Sequence, residues 1–222
     1  MRFINLSILF VLASVSAFAQ KDAAAKVILT PLSQKYRSYP AIKTDFIFTL
    51  DDQQQNIKAT QNGTLTVEPK TNKYRIALFA EGKSEIEQEI ISDGKSQWSY
   101  NKDEKEVQLT NADHSSTSFN PAQLFTMYEH GYKYLYTGEV KQNGKIYQVI
   151  DLTPEDDKIN FFKIRLTIDK IKKLIYSVLV FDKNGSKYQY VLKDFTPNPP
   201  VTADTFVWDS KTHPGVEVVD LR

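Results

Sequence analysis

The chain has 222 residues, with 28 Lys and Arg against 27 Asp and Glu, a formal charge of +1, and no cysteine. So even a balance leaves no electrostatic footprint for nucleic acid. The missing cysteine excludes disulfides, a thiol nucleophile and a lipid anchor of the chain's own. Thirteen Phe and twelve Tyr against two Met make an aromatic-heavy apolar set of the kind strands favour.

Taken from the start, Arg2 and the apolar run opening at Ile8 end in Ala17-Phe18-Ala19, the small-x-small pattern of a cleavable export signal. The run is short of the about 20 apolar residues a membrane span needs. Residues 1–19 are expected to be a signal peptide and residues 20–222 a single domain. Asp22 then reads as an N-cap ahead of Ala23-Ala24-Ala25. Ala25, Ile28, Leu29, Leu32 and Tyr36 form one helical apolar stripe, which Pro31 is expected to kink or split.

From Lys43 the period changes to two. Phe46, Phe48 and Leu50 alternate with their neighbours, as do Leu65 and Val67, then Tyr74, Ile76 and Leu78. The same pattern sets Phe162, Ile164, Leu166 and Ile168 against Lys163, Arg165 and Thr167. Such alternation describes antiparallel strands with one apolar and one wet face. Asn62-Gly63, Asp93-Gly94, Asn143-Gly144 and Asn184-Gly185 lie between these runs and predict tight hairpin turns. The polar stretch 111–120, including His114 to Ser118, reads as a mobile loop. Asn120-Pro121 then caps a short inserted helix with Leu124, Phe125 and Tyr128 on its apolar face, stopped at Gly131. Pro197-Asn198-Pro199-Pro200 ends strand pairing and opens an irregular tail.

The count is ten or eleven antiparallel strands with two helices, and a sheet that long must curl, close or split. Two helices cannot fill a curled sheet's apolar face, so the fold predicts a partly filled cavity, which is a ligand site. A β-sandwich with a filled core fits the same aromatic set.

Chemistry is scarce. His114, His130 and His213 are far apart and sit in or beside loops, so no metal site is expected. No nucleophile or zincin motif occurs, and Glu155-Asp156-Asp157 after Thr153-Pro154 reads as a solvated turn. Neither enzymatic activity nor a cofactor is expected.

Gly63-Thr64-Leu65-Thr66-Val67, Lys73-Tyr74-Arg75 and above all Ile90-Ile91-Ser92-Asp93-Gly94-Lys95-Ser96-Gln97-Trp98-Ser99-Tyr100 carry a resemblance. Leu152-Thr153-Pro154, Tyr188-Gln189-Tyr190 and the tail from Pro214 to Asp220 continue it. In order and spacing these segments resemble the outer-membrane lipoprotein carrier family (LolA), in a Bacteroidetes-type form. The resemblance implies a mainly β fold: an unclosed half-barrel of about 11 antiparallel strands, with helices as a lid over a hydrophobic cavity. It implies a periplasmic carrier that takes acylated lipoproteins from an inner-membrane ATP-driven transporter towards the outer membrane and an acceptor there, acting as a monomer without nucleotide or cofactor. A glycolipid, fatty acid or pigment precursor would need the same cavity and is the alternative cargo.

The expected cavity floor is Phe46, Phe48, Leu65, Val67, Tyr74, Ile76, Trp98, Tyr100, Ile164, Leu166 and Ile168, with parity taken from alternation alone. The expected lid is Ile28, Leu29, Leu32, Leu124, Phe125 and Tyr128. Members of the family commonly latch the lid with a basic residue just after the Gly-x-Leu-x-Val strand. Here Glu68-Pro69-Lys70-Thr71-Asn72-Lys73 makes that connection longer, with Lys70 and Arg75 as the two candidates.

Overall fold

The computed structural model describes residues 16–112 and 119–222. Residues 1–15 of the expected signal peptide (1–19) and residues 113–118 of the expected loop (111–120) lie outside the described residues. Helix α1 runs Ser16–Ser38, so Asp22 lies inside the helix and does not cap it. Alanine-rich sequence on both sides of Asp22 favours helix in either direction. The helix also continues through Pro31 as one element. Pro31 and Val27, whose carbonyl a proline cannot serve, are both exposed, on the side of the helix where losing that hydrogen bond costs least.

The chain then builds β1 (Ile42–Asp52), β2 (Ile57–Glu68), β3 (Lys73–Phe79), β4 (Ile86–Ser92), β5 (Ser96–Asn101) and β6 (Glu106–Asn111) as a meander. The inserted segment follows as two 3-10 turns, Pro121–Phe125 and Met127–Glu129, in place of one helix. Asn120 caps the first, its side chain accepting from the Ala122 N–H at 2.9 Å. Strands β7 (Tyr132–Gln142), β8 (Lys145–Pro154), β9 (Phe161–Asp169), β10 (Leu174–Asp182) and β11 (Lys187–Pro197) form a second meander. Strand β11 returns to pair with β1, which joins the two into one sheet. The tail holds two further 3-10 turns and β12 (Glu217–Asp220), which pairs parallel to β6.

The sheet has 12 strands in the order β12-β6-β5-β4-β3-β2-β1-β11-β10-β9-β8-β7, open and not closed into a barrel. The expected unclosed, mainly β architecture is therefore the observed one, with β12 added at the edge.

Two further sequence expectations give way. Asn62-Gly63 is no turn: it lies within β2, and the hairpin turns instead at Gln53–Asn56. Gly63 serves a close approach, because a Cβ there would stand 2.5 Å from the Phe46 ring and 2.8 Å from the Ala77 carbonyl oxygen. Asn143-Gly144 does turn, with φ of 50° and 74° at the two central positions, the signature of a primed hairpin turn. Second, Phe162 does not share a face with Ile164, Leu166 and Ile168. A register shift where β10 meets the start of β9 turns Phe161 inward. Phe162 is left 50% exposed beside Phe181, ring centroids 6.0 Å apart.

Candidate functional site: the apolar face and its lid

One face of the sheet carries a continuous apolar core. Alternation along β1, β2, β3 and β9 brings Phe46, Leu65, Val67, Tyr74, Ile76, Ile164, Leu166 and Ile168 to it, all buried, with Phe48 half-buried alongside. Over this face lie Leu29 and Leu32 of α1, with Ile28 at the margin, and Leu124, Phe125 and Tyr128 of the 3-10 segment. Nine of the eleven expected floor residues and all six lid residues thus share one cluster. Tyr36 pins helix, inserted segment and sheet together. Its ring lies 4.7 Å from Phe125 and 5.9 Å from Phe195, and its hydroxyl accepts the Ile175 N–H at 2.8 Å.

Trp98 and Tyr100 are the two exceptions. They face the other side of the sheet, with Ile91 and Val107, under Trp208 of the tail. Tyr100 and Trp208 lie 5.1 Å apart, and His213 stacks on Trp208 at 4.0 Å. The same parity puts Gln97 on the lid side, where it accepts the Tyr74 hydroxyl at 2.6 Å. The apolar side of β5 is set by a cover from the distant tail, which alternation within β5 cannot reveal.

Sequence reasoning missed several floor residues: Ile150 and Leu152 on β8, Ile175, Val178 and Val180 on β10, and Tyr190 on β11. Strand β10 reads Leu-Ile-Tyr-Ser-Val-Leu-Val-Phe, apolar on both parities, so period two does not tell its faces apart.

The fastening of the lid also differs from expectation. Lys70 is exposed in the β2–β3 turn, and Arg75 is spent on buried Glu89 at 2.7 Å, on the Trp98 side of the sheet. Instead the two lid elements clasp each other. Arg37 Nε of α1 reaches both carboxylate oxygens of Glu129 at 2.7 and 2.9 Å, Arg37 also bonds through its terminal nitrogen, and Ser33 donates to the same carboxylate. The Arg37 guanidinium, with Ser33 assisting, holds the Glu129 carboxyl below the usual glutamate range. Beside it the buried Tyr128 hydroxyl has no hydrogen-bond partner among the described residues, and burial pushes its pKa up.

Among the described residues, spaces open around this core. A cavity of about 20 Å³, room for one water, lies between the inserted segment and β2–β4, at Val67, Tyr74, Ser92 and Asn120. A cleft of about 420 Å³ runs between α1 and β7 past Arg37, Glu129 and His130. The third, about 540 Å³, lies in a fork: β10 and β11 pair only from Ser177↔Val191 onward, and their other ends splay around Ile175, Leu192 and Phe195.

An open antiparallel sheet whose apolar face is covered by one helix and a 3-10 segment defines the class of fold. The family model for outer membrane lipoprotein carrier protein LolA matches residues 37–209, and the chain belongs to that family. No curated protein matches the sequence significantly. Among solved structures, it is similar to an uncharacterized conserved protein of Thermus thermophilus (TM-score 0.58, 11% identity, 89% of this chain and 99% of that one). It is also similar to a DUF1329 family protein of Desulfovibrio piger (TM-score 0.52, 12% identity, 87% and 99%). At these identities the likeness is one of fold.

Proposed function

We propose that the chain is a periplasmic carrier that takes the acyl chains of lipoproteins beneath its lid and shuttles them from the inner towards the outer membrane. It would receive them from an ATP-driven transporter and give them up to an outer-membrane acceptor. The observation that carries this reading is a largely apolar floor under a cover that is fastened to itself by the Arg37–Glu129–Ser33 clasp. The chain binds and releases; no bond is made or broken.

The lid side chains occupy the floor itself, so loading the floor means displacing the lid. Uncovering Leu29, Leu32, Leu124 and Phe125 costs about 6–12 kcal/mol at roughly 1.5–3 kcal/mol per side chain. An acyl chain returns about 0.8 kcal/mol per methylene, so roughly ten buried methylenes match the lid. A lipoprotein with two or three chains exceeds that, and the lid competes for the floor throughout, which makes delivery feasible.

The test is release from spheroplasts. Purified protein mixed with spheroplasts holding newly made lipoproteins should yield soluble one-to-one complexes that require intact acyl chains. Phe48→Asp, which places a charge beside Tyr190 (5.1 Å) on the floor, should abolish them while the protein stays folded. An empty supernatant with an apolar dye still entering the protein would overturn lipoprotein carriage in favour of another amphiphile.

A further inference from the structure

The β9–β10 turn holds Ile171 with 86% of its surface exposed, between Lys170, Lys172 and Lys173. The turn is built to keep it there. The Asp169 carboxylate accepts the N–H groups of Ile171 and Lys172 at 2.9 and 2.8 Å, and the Lys173 N–H closes on the Asp169 carbonyl at 2.9 Å. Lys173 adopts φ 53°, a left-handed conformation that glycine or asparagine takes more easily.

Register sets the β7–β8 hairpin tip beside this turn. Tyr147 pairs with Asp169, and the Lys170 N–H donates to the Ile146 carbonyl at 3.1 Å. That tip adds Lys141 and Lys145 together with exposed Val140 and Ile146. Lys35 of α1 joins the group, its ammonium donating to the Lys172 and Lys173 carbonyls at 2.9 and 3.4 Å.

Six lysines (35, 141, 145, 170, 172 and 173) therefore meet two carboxylates at this end, and both are already engaged. Asp169 serves the turn's amides, and Glu139 pairs with Lys170 at 2.8 Å. Lys193 and Asp194, which line the β10–β11 fork, add one charge of each sign and leave the excess unchanged. Lys141, Lys145, Lys172 and Lys173 make no ion pair among the described residues. In a chain of 28 basic and 27 acidic side chains, this excess is local.

We propose that this end of the sheet docks on an anionic phospholipid surface, with Ile171 entering the interface and the lysines reaching the phosphate groups. A projecting aliphatic side chain ringed by long basic ones combines the two terms that hold proteins to such surfaces, apolar insertion and attraction to anionic headgroups. The lysine stems lie along the apolar layer while their ammonium groups stay in water. A protein partner would need a broad complementary patch, and this end offers narrow turns. Docking brings the mouth of the β10–β11 fork and, through Lys35, the lid helix against the bilayer. The inference holds whatever the cargo, and its test needs none.

The test is flotation of the purified protein with vesicles of phosphatidylcholine alone and of phosphatidylcholine with phosphatidylglycerol. Binding should appear with the anionic vesicles and fade as salt is added. Lys172→Gln and Lys145→Gln should each lower the partition roughly five-fold, and Ile171→Asp should lower it further. Lys83→Gln, in the β3–β4 turn at the other end of the strands, should leave it unchanged. Ile171→Ser serves as a second variant should Ile171→Asp prove unfolded by circular dichroism. Absence of flotation overturns the proposal. So does salt-independent binding to both vesicle types, or an effect of Lys83→Gln as large as that of Lys172→Gln.

Discussion

Glu129→Gln tests whether the clasp between α1 and the inserted segment holds the lid. The glutamine keeps the shape of the side chain and can still accept from Ser33, but it removes the charge that Arg37 grips through both carboxylate oxygens. A hydrogen bond to a charged group is worth about 1.5–3 kcal/mol. The Arg37 side chain is 47% exposed, whereas that of Glu129 is 11% exposed, so solvent screens the pair and we take about 1–2 kcal/mol. That corresponds to a roughly 5- to 30-fold change in an opening equilibrium.

The assay is native-state hydrogen exchange by segment. Amides of α1 should exchange roughly 5- to 30-fold faster in the variant, while those of β9 and β10 keep their rates, because the clasp fastens the lid and not the sheet. Acid should mimic the substitution. The folded carboxyl lies below its ordinary range, so the clasp's contribution is fully present above that range, about pH 4.3. It is lost as pH falls through the folded value. The variant should lack this acid-dependent loosening of α1. Parallel acceleration in α1 and the sheet, or no acceleration at all, would refute the reasoning.

Two further substitutions probe how the floor is built. Gly63→Ala drives a methyl against the Phe46 ring and the Ala77 carbonyl; the ring can move but the strand cannot. It should cost about 1–3 kcal/mol in denaturant unfolding and reduce uptake of an apolar dye. Tyr36→Phe leaves the Ile175 N–H buried without an acceptor at the fork. That should cost about 1–3 kcal/mol, and each kcal/mol should lower the melting temperature by roughly 2–4 °C, seen by calorimetry.

How far the site can be read from sequence depends on where each strand's cover comes from. Phe46, Leu65, Val67 and Ile76 alternate with residues of the other face, and their cover, α1, announces itself by its own stripe; pattern and packing agree there. At Phe161-Phe162 two equivalent rings compete for one inward position, and a register shift decides, which no period reports. At β5 the alternation is real but its apolar side is the opposite of the one expected, because Trp208 arrives from the tail to cover it. Gly63 follows Asn62 in a dipeptide that usually turns, yet its value here is the space it leaves for Phe46. The clasp is invisible in the sequence because Arg37 and Glu129 are 92 residues apart and neither belongs to a motif.

The two faces of the sheet also bound what the floor can hold. Strand β4 is where the apolar side changes: Ile90 packs on the lid-side core, while its neighbour Ile91 packs under Trp208. Beyond it the lid side turns polar, with Ser92 and Gln97 in line with Tyr74 across β3, β4 and β5. Tyr74 suits the boundary, its ring in the core and its hydroxyl on Gln97. An acyl chain on the floor would thus be confined to β1–β3 and β8–β11 and would meet a polar wall at Gln97. Methylenes gain less against such polar groups than against the apolar floor, so on the proposed reading that wall would bound the chain the floor accepts. The apolar residues that would have extended the floor are committed to holding the tail, and the fold exchanges cavity for a second small core on its other face.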